Sequence, residues 1–263
     1  IMGQSGEDFP YLPYVEKDYQ ITISQFTLKE VIRQTIFSIA ANDSNKIMTG
    51  ELFDINGGEM RVVSLDGHRI SIRKILLKSE YEPKKVIVPG KTLTEVSKIL
   101  TGGTEDLVYI YFTNNHILFE FENTVVVSRL IEGNYFRVDQ MLTNDYETKV
   151  TINKKEFLDC IDRATLMIKE GDKRPIILNI AEDVMELKIS SQIGSMDELI
   201  DIELEGKNIK IGFNPKLLID ALRVIDDEKI NIYYMNPKAP CFIRDDEQSY
   251  IYLILPVNFI DND

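Results

Sequence analysis

Cysteine and histidine are scarce in this sequence of 263 residues, which contains two of each. Zinc centres and disulfide frameworks depend on these residues, and neither His68 nor His116 has a cysteine partner at metal-binding spacing. Cys160 and Cys241 also lack motif spacing, so we interpret them as small buried apolar residues of an intracellular chain. We therefore expect no metal site, no cofactor and no disulfide.

Long apolar runs, a signal sequence and an excess of basic charge are also missing. Without a run of about 20 apolar residues the chain has no candidate membrane span, and we expect a cytoplasmic protein with no membrane partner. The 43 acidic residues outnumber the 30 basic ones, and the net charge is −13. Such a balance argues against binding of nucleic acid over the whole surface, although it leaves room for a local basic lining.

The start of the chain resembles a connector. The chain begins at Ile1 rather than at a methionine, and the segment Phe9-Pro10-Tyr11-Leu12-Pro13 has the proline content of a linker. We interpret residues 1–18 as a linker from an upstream domain.

The rest of the sequence contains one order of elements twice. The segment PGKTLTEVSK around Lys91 aligns with NPKLLIDALR around Lys216, an offset of 216 − 91 = 125, and the same offset aligns Met60 with Met185. A period of this length indicates duplication of a whole domain, because solenoid repeats are much shorter. We predict one domain over residues 19–145 and a second over residues 146–263.

Each copy is predicted to contain two helices and about eight strands. The helices are expected to open at Thr27, with Glu30 completing a capping box, and to cover residues 91–100, 154–168 and 215–225. Strand segments alternate apolar and polar residues, and turn signals such as Asn56-Gly57-Gly58 separate them. The pattern predicts an α+β fold of two repeated domains, with helices packed on antiparallel sheets.

The hairpin V-V-S-L-D-G-H-R-I-S-I, residues 62–72, is a candidate docking patch. Its Asp-Gly turn places His68 and Arg69 beside Leu65 and Ile70, a mixture suited to binding the apolar groups of a short peptide and its polar ends. Turn chemistry alone explains the same residues as an ordinary solvated turn. Both interpretations stay open on this stretch alone.

Basic residues recur on the predicted helices. Lys91 and Lys98 are seven positions apart on the second helix, as Lys216 and Arg223 are on the fourth, so each pair lies on nearly one side. A solvated polar face explains any single helix equally well. Taken together, the helices indicate a weakly basic surface that would contact phosphates without reading base sequence.

An enzyme is the alternative class of protein. Ser64, Asp66 and His68 are close enough in sequence to form a hydrolytic cluster, but a catalytic serine needs a base that a third group holds in place. The glycine pairs at 57–58 and 102–103 lack the lysine and hydroxyl residue of a phosphate-binding loop. A small hydrolase centred on His68 is therefore our second hypothesis.

Five segments resemble motifs of the bacterial sliding clamp family, the beta subunit of DNA polymerase III. They are S-L-D-G-H-R-I at 64–70, V-I-V-P-G-K at 86–91, E-G-N-Y at 132–135, G-F-N at 212–214 and L-P-V at 255–257. The resemblance covers nearly the whole chain and implies the second and third of three clamp domains, without the first. It implies a non-catalytic processivity factor of DNA replication, in which two protomers close into a homodimeric ring around double-stranded DNA.

The resemblance also implies site residues and partners. A hydrophobic groove would bind short peptides of the replicative polymerase, the clamp loader and repair proteins. Its expected residues are Met48, Leu65, Gly67, His68, Arg69, Ile70, Gln140, Met141, Asn214, Leu217, Pro240, Leu253, Ile254, Leu255, Pro256, Val257 and Asn258. The residues expected to face DNA are Arg33, Lys46, Lys91, Lys98, Arg163, Lys216 and Arg223.

Two departures from the family pattern lie near the expected groove. Phe136 follows the E-G-N-Y segment where the family usually has proline, and the chain continues past Phe259 to end in Asp-Asn-Asp. Both bear on the shape of the groove.

Overall fold

The computed structural model describes residues 13–17, 19–42, 44–169 and 174–259, together with the single residues 3 and 6. The helices are α1 Gln25–Thr35, α2 Gly90–Ile99, α3 Lys154–Thr165 and α4 Pro215–Val224. The strands are β1 Tyr19–Ser24, β2 Gly50–Leu65, β3 Arg69–Pro89, β4 Leu107–Phe112, β5 His116–Phe121, β6 Thr124–Arg129, β7 Thr148–Asn153, β8 Ile176–Ala181, β9 Val184–Ser191, β10 Gly194–Gly206, β11 Ile209–Phe213, β12 Lys229–Tyr234, β13 Cys241–Arg244 and β14 Tyr250–Ile254. Residues 9–12 of the expected connector and the terminal Asp-Asn-Asp lie outside the described residues.

Helices α1, α3 and α4 each begin at a residue whose side chain caps the helix. Ser24 caps α1 by accepting a hydrogen bond from the Thr27 amide at 3.1 Å, so the helix begins earlier than the Thr27 capping box predicts. Asn153 and Asn214 cap α3 and α4 in the same way, and Pro215 occupies the first turn of α4 as expected. The prediction for α3 extends three residues too far, because the chain leaves the α-helix after Thr165.

A pair of lysines repeats the same contact in both halves. Lys29 of α1 donates to the carbonyl of Leu100 after α2 at 2.9 Å, and Lys154 of α3 donates to the carbonyl of Ile225 after α4 at 2.6 Å. Each lysine thus satisfies a free carbonyl at the end of the neighbouring helix, where a positive charge is favoured. Lys154 lies 125 positions after Lys29, and Ile225 lies 125 positions after Leu100. This agreement supports the duplication.

The chain folds back on itself within β2. Residues seven apart in a straight strand are about 23 Å apart, yet Arg61 Nη2 lies 3.2 Å from Asp54 Oδ2. The bend falls at Gly57, which has a φ of 58° and lies where the pairing register shifts. The predicted turn at Asn56-Gly57-Gly58 is therefore present, and the two arms of β2 pair with the two ends of β3.

The second half shows the same arrangement as separate strands. One sheet has the order β11-β8-β9-β10, and β10 continues into a second group of β7, β12, β13 and β14. The first half has the corresponding four-stranded sheet β1-β4-β5-β6. Four helices packed with these antiparallel sheets confirm the predicted α+β class.

Strand β14 of the second half pairs with β3 of the first half. Tyr250 lies opposite Arg73 and Ile254 opposite Arg69, so that one sheet of ten strands runs through both halves. The four helices form a second layer in which α1 contacts α2 and α4, and α4 contacts α3. Each half buries its own apolar core between helices and sheets, and a third, smaller core lies at the junction of the halves.

Candidate functional site

The turn between β2 and β3 lies at this junction. The Asp66 carboxylate accepts hydrogen bonds from the amides of His68 at 3.0 Å and Arg69 at 3.2 Å, and Gly67 supplies a φ of 83° that favours glycine. The Leu255 amide, just after β14, donates to the carbonyl of His68 at 2.9 Å. The turn and the end of the second half are therefore in direct contact.

An apolar groove of about 390 Å³ opens beside this turn. Residues of both halves form it: Met48, Leu65, Gly67, His68, Arg69, Ile70, Phe136, Met141, Pro240, Leu253 and Leu255. All but Phe136 belong to the predicted set. Phe136 packs edge-on against Tyr135, with ring centroids 5.9 Å apart, and supplies part of the wall.

The other predicted groove residues lie elsewhere. Ile254 points into the core of the second half, because neighbouring residues of a strand face opposite sides and Leu253 and Leu255 take the groove side. Asn214 caps α4, and Leu217 is buried within that helix. Gln140 lines an adjacent cleft, and Pro256, Val257 and Asn258 continue past the groove, with the Val257 amide bonded to the Gly212 carbonyl at 2.9 Å.

Arg69 is held from three directions although it lines the groove. Its Nε donates to Asp66 Oδ2 at 3.0 Å, Nη1 donates to Asp220 Oδ2 of α4 at 2.7 Å, and Nη2 donates to the Phe37 carbonyl at 2.6 Å. Only 10% of the side chain is exposed. Sequence reasoning missed Asp220, since nothing local marks an acidic residue 151 positions away as a partner of this turn.

A turn on the opposite wall is held by a second arginine. Arg61 of β2 donates two hydrogen bonds to the Asp139 carboxylate, at 2.5 and 3.3 Å. Asp139 lies in the turn Val138–Met141, whose last residue lines the groove. The Arg61 guanidinium holds the pKa of Asp139 below its usual range. The contact fixes the wall to the sheet. An adjacent cleft of about 790 Å³ is lined by both residues and by Gln140.

A buried acid lies in β2 near the groove wall. Glu51 is fully buried, neither of its carboxylate oxygens has a hydrogen-bond partner, and burial raises its pKa to about 8. The nearby Thr35 hydroxyl acts in the opposite direction and lowers this pKa. It donates its own proton to the Val31 carbonyl at 2.7 Å. Burial and the charge of Glu51 also raise the pKa of Tyr135, whose hydroxyl is buried without a partner.

The residues of the hydrolase hypothesis do not assemble into a catalytic site. The Ser64 hydroxyl is completely buried and donates to the Thr35 carbonyl at 2.6 Å. The Asp66 carboxylate binds the Arg69 side chain and the amides of its own turn. Neither group is available to activate the other through His68.

The predicted DNA-facing cations fall into two groups that differ in whether they form ion pairs. Four are in ion pairs: Arg33 with Glu30 and Asp226, Lys98 with Glu95, Arg163 with Glu198, and Arg223 with Asp162. Lys46, Lys91 and Lys216 are exposed, and in the described ranges none has a carboxylate within 4 Å. Arg33 also donates to the Val224 carbonyl at 3.2 Å, which makes it a contact between the halves.

Both cysteines are free and buried, and burial raises the pKa of each thiol to about 12. Across the part of the chain that the structure describes, no cluster of three or more metal-ligating side chains is present. Within the same residues, no helix combines the length and apolar character needed to traverse a bilayer.

Two family models match consecutive parts of the chain. The central domain of the DNA polymerase III beta subunit matches residues 22–136, and its C-terminal domain matches residues 139–258. The beta sliding clamps of Staphylococcus epidermidis and Staphylococcus aureus are each 35% identical over 260 residues, which is 98% of this chain and 69% of theirs.

Solved structures give the same result. A putative DNA polymerase III beta subunit from Eubacterium rectale is 69% identical with a TM-score of 0.96, and the match covers 98% of this chain and 70% of that one. The sliding clamp of Bacillus subtilis is 32% identical with a TM-score of 0.93, over 98% of this chain and 69% of that one. Repeated domains joined strand to strand, with helices on one side, define a DNA clamp fold. The chain belongs to the bacterial beta sliding clamp family, the non-catalytic beta subunit of DNA polymerase III.

Proposed function

We propose that this chain acts as a sliding clamp in DNA replication, and that its groove tethers the replicative polymerase, the clamp loader and repair proteins through short peptides. The apolar groove between the two halves is the observation that carries the proposal. Seven of its eleven lining residues are aliphatic, methionine or phenylalanine side chains, namely Met48, Leu65, Ile70, Phe136, Met141, Leu253 and Leu255. Such a surface binds apolar peptide side chains by removing them from water.

Binding of a peptide of the Gln-Leu-x-Leu-Phe type tests the groove. Leu255→Asp and Met141→Asp each place a carboxylate on a partly exposed wall residue, where neither change disrupts a buried core. We expect each to weaken binding at least tenfold in fluorescence anisotropy, since burying a charge against apolar groups is unfavourable. Leu76→Asp, at an exposed leucine of β3 outside the groove lining, is the matched control. Unchanged affinity in both groove variants would refute the site.

Contact with duplex DNA is proposed for the helical layer. Five of the predicted cations are exposed on helices whose other faces are buried in the two cores. They are Lys91, Lys98, Arg163, Lys216 and Arg223. The ion pairs of Lys98, Arg163 and Arg223 with neighbouring acids keep the layer only weakly basic. Weak, exchangeable phosphate contacts suit a protein that encircles DNA and slides along it.

Closure of a homodimeric ring is proposed for the outer end of the second half. Leu166, Ile193 and Leu199 are 71%, 51% and 67% exposed around the end of α3 and the β9–β10 hairpin. Exposed apolar side chains of this kind are suited to burial against a partner subunit. Leu166→Asp is expected to lower the dimer fraction in analytical ultracentrifugation. An unchanged fraction would count against this edge.

The same proposal includes a domain boundary between residues 145 and 146. It also includes a cytoplasmic location. The boundary is supported by Tyr146, whose ring contacts Tyr233 of the second half. A role in bacterial DNA replication requires the compartment that holds the chromosome.

A further inference from the structure

Arg244 of β13 is a buried cation that has no acidic partner among the described residues. Arg69 and Arg244 are the two buried arginines of the described ranges, with 9% and 7% of the residue exposed. Arg69 pairs with two carboxylates, whereas no described carboxylate lies within 4 Å of the Arg244 guanidinium. Buried charges in proteins are normally paired with an opposite charge, and Arg244 departs from that rule.

Uncharged groups hold Arg244 in place. Its Nη1 donates to the Thr143 carbonyl at 2.9 Å and to Asn144 Oδ1 at 2.7 Å, and Nη2 donates to the Asn144 carbonyl at 3.2 Å. The Tyr233 ring covers the guanidinium, with its centroid 4.4 Å from Cζ. Of the five N–H donors of the guanidinium, the Nε–H and one Nη2–H make no hydrogen bond to the described residues. These contacts fix the guanidinium without supplying a negative charge.

A small cavity of about 120 Å³ lies beside this guanidinium. Among the residues that the structure describes, Arg244 is the only charged one in the lining, which also contains apolar Phe242 and Ile251 and the amides of Asn144 and Gln248. Gln248 Nε2 donates to Asn144 Oδ1 at 3.0 Å and carries a second N–H. The cavity therefore offers hydrogen-bond donors and one positive charge, and no acid in its lining opposes an anion.

The cavity adjoins the apolar groove on one face of the ten-stranded sheet. Leu253 lines the groove and Ile251 lines the cavity, and residues two apart in a strand face the same side about 7 Å apart. On the other wall, Met141 of the groove and Leu142 of the cavity are consecutive residues. A peptide that continues past the groove by about two to four extended residues can therefore bring a side chain to the cavity.

We propose that the Arg244 cavity is a carboxylate-binding site, which receives an acidic side chain of a partner protein whose apolar peptide lies in the adjoining groove. The assignment to a partner protein rests on the proposed function. A carboxylate fits because its two oxygens can accept from donors on neighbouring nitrogens of the planar guanidinium. It also supplies the charge that Arg244 lacks, at a place where burial limits screening by water.

Matched pairs of capped peptides test the proposal. Each contains Gln-Leu-Ser-Leu-Phe, followed by Gly-Ser-Glu in one pair and preceded by Glu-Ser-Gly in the other, so that both flanks of the apolar motif are sampled. In the neutral member of each pair, Gln replaces the flanking Glu. In one of the pairs we expect the acidic peptide to bind the parent protein about threefold to tenfold more tightly in fluorescence anisotropy.

Gln248→Glu places a carboxylate of the protein itself in the cavity. That side chain can pair with Arg244 and exclude the carboxylate of the ligand, so the ratio should fall to about one while the neutral peptide binds as before. Two controls change the net charge by the same amount. Gln20→Glu does so at an exposed position of β1, and Lys238→Gln does so at an exposed position before Pro240, close to the groove. Both should keep the parent ratio.

A titration with acetate, without peptide, separates a free carboxylate from one carried by a partner protein. The Arg244 Nε resonance, observed by NMR, should shift in a saturable manner with sodium acetate in the parent protein. It should not shift with sodium chloride at the same ionic strength, nor with acetate in Gln248→Glu. This readout needs no substitution of Arg244, whose contacts with residues 143 and 144 also support the fold.

The outcomes are distinct. Saturable acetate binding with equal affinities in both peptide pairs would indicate a site for free anions and overturn the assignment to a partner protein. Absence of both effects would overturn the site, and so would an acid preference that persists in Gln248→Glu or disappears in Lys238→Gln. Failure of every peptide to bind would refute the proposed function, whereas the acetate titration would still decide whether the cavity binds a carboxylate.

Discussion

Glu51 gives a prediction about stability against pH, and its sign follows from the burial of the carboxyl group. Its carboxyl group is fully buried without a hydrogen-bond partner, and burial raises its pKa to about 8 from an ordinary value of 4.5. The folded protein therefore keeps a proton that the unfolded chain releases as soon as the pH exceeds about 4.5. Stability is lost as the pH rises from there to about 8, where the folded protein also ionises and the loss levels off.

The magnitude follows from the same two values. Each pH unit between them lowers the free energy of unfolding by about 1.4 kcal/mol, so the loss is about 3 kcal/mol at pH 7 and about 5 kcal/mol at pH 8 and above. Glu51→Gln replaces the acid with a neutral group of similar size that does not titrate. The variant should match the parent near pH 5 and exceed it by about 4 kcal/mol at pH 8.

Urea unfolding followed by circular dichroism at pH 5, 6, 7, 8 and 9 measures this difference. Other titrating groups affect the parent and the variant alike, so the difference between their unfolding free energies isolates Glu51. Glu105→Gln, which removes an exposed acid, is the matched control for loss of a carboxyl group. Parallel profiles for the parent and Glu51→Gln would refute the assignment of a neutral buried carboxyl group.

Three further predictions concern the backbone, the helical layer and the junction. Gly206 has a φ of 104°, and a Cβ there would lie 2.1 Å from the Glu147 carbonyl oxygen. Gly206→Ala should therefore lower the free energy of unfolding by about 2–4 kcal/mol. Gly58→Ala should change it little, because a Cβ at Gly58 meets nothing within 4 Å. The double variant Lys91→Ala, Lys216→Ala should reduce the slope of log affinity against log salt for duplex DNA by about 1.8. The control variant Lys78→Ala, Lys238→Ala, at exposed lysines outside the helices, should not reduce it. Equal slopes would argue against the helical layer as the DNA face. Arg33→Ala removes the bonds to Val224 and Asp226 across the halves and should lower stability by about 1 kcal/mol in thermal unfolding, more than Lys98→Ala, whose ion pair is on the surface; an equal effect would show that the contact across the halves contributes nothing.

Local sequence patterns predicted the features that depend on nearby residues. The Asp66-Gly67 turn, the proline start of α4 and the 125-residue duplication follow from short patterns, and the structure contains all three. The start of α1 was misplaced because Ser24 and Thr27 are both plausible caps, and only the tertiary position of the chain decides between them.

Features that depend on distant contacts could not be predicted in this way. The pairing of Arg69 with Asp220, the burial of Glu51 and the contact of Arg33 with the second half all join residues that no local pattern relates. The alternation of β14 could have shown that Ile254 faces the core once Leu253 and Leu255 were assigned to the groove.

The groove exists only while β14 of the second half is paired with β3 of the first half. Neither half alone forms the whole groove, since one wall comes from residues 48–141 and the other from Pro240, Leu253 and Leu255. Unfolding of the second half would therefore remove one wall of the groove and, on the proposed function, peptide binding with it.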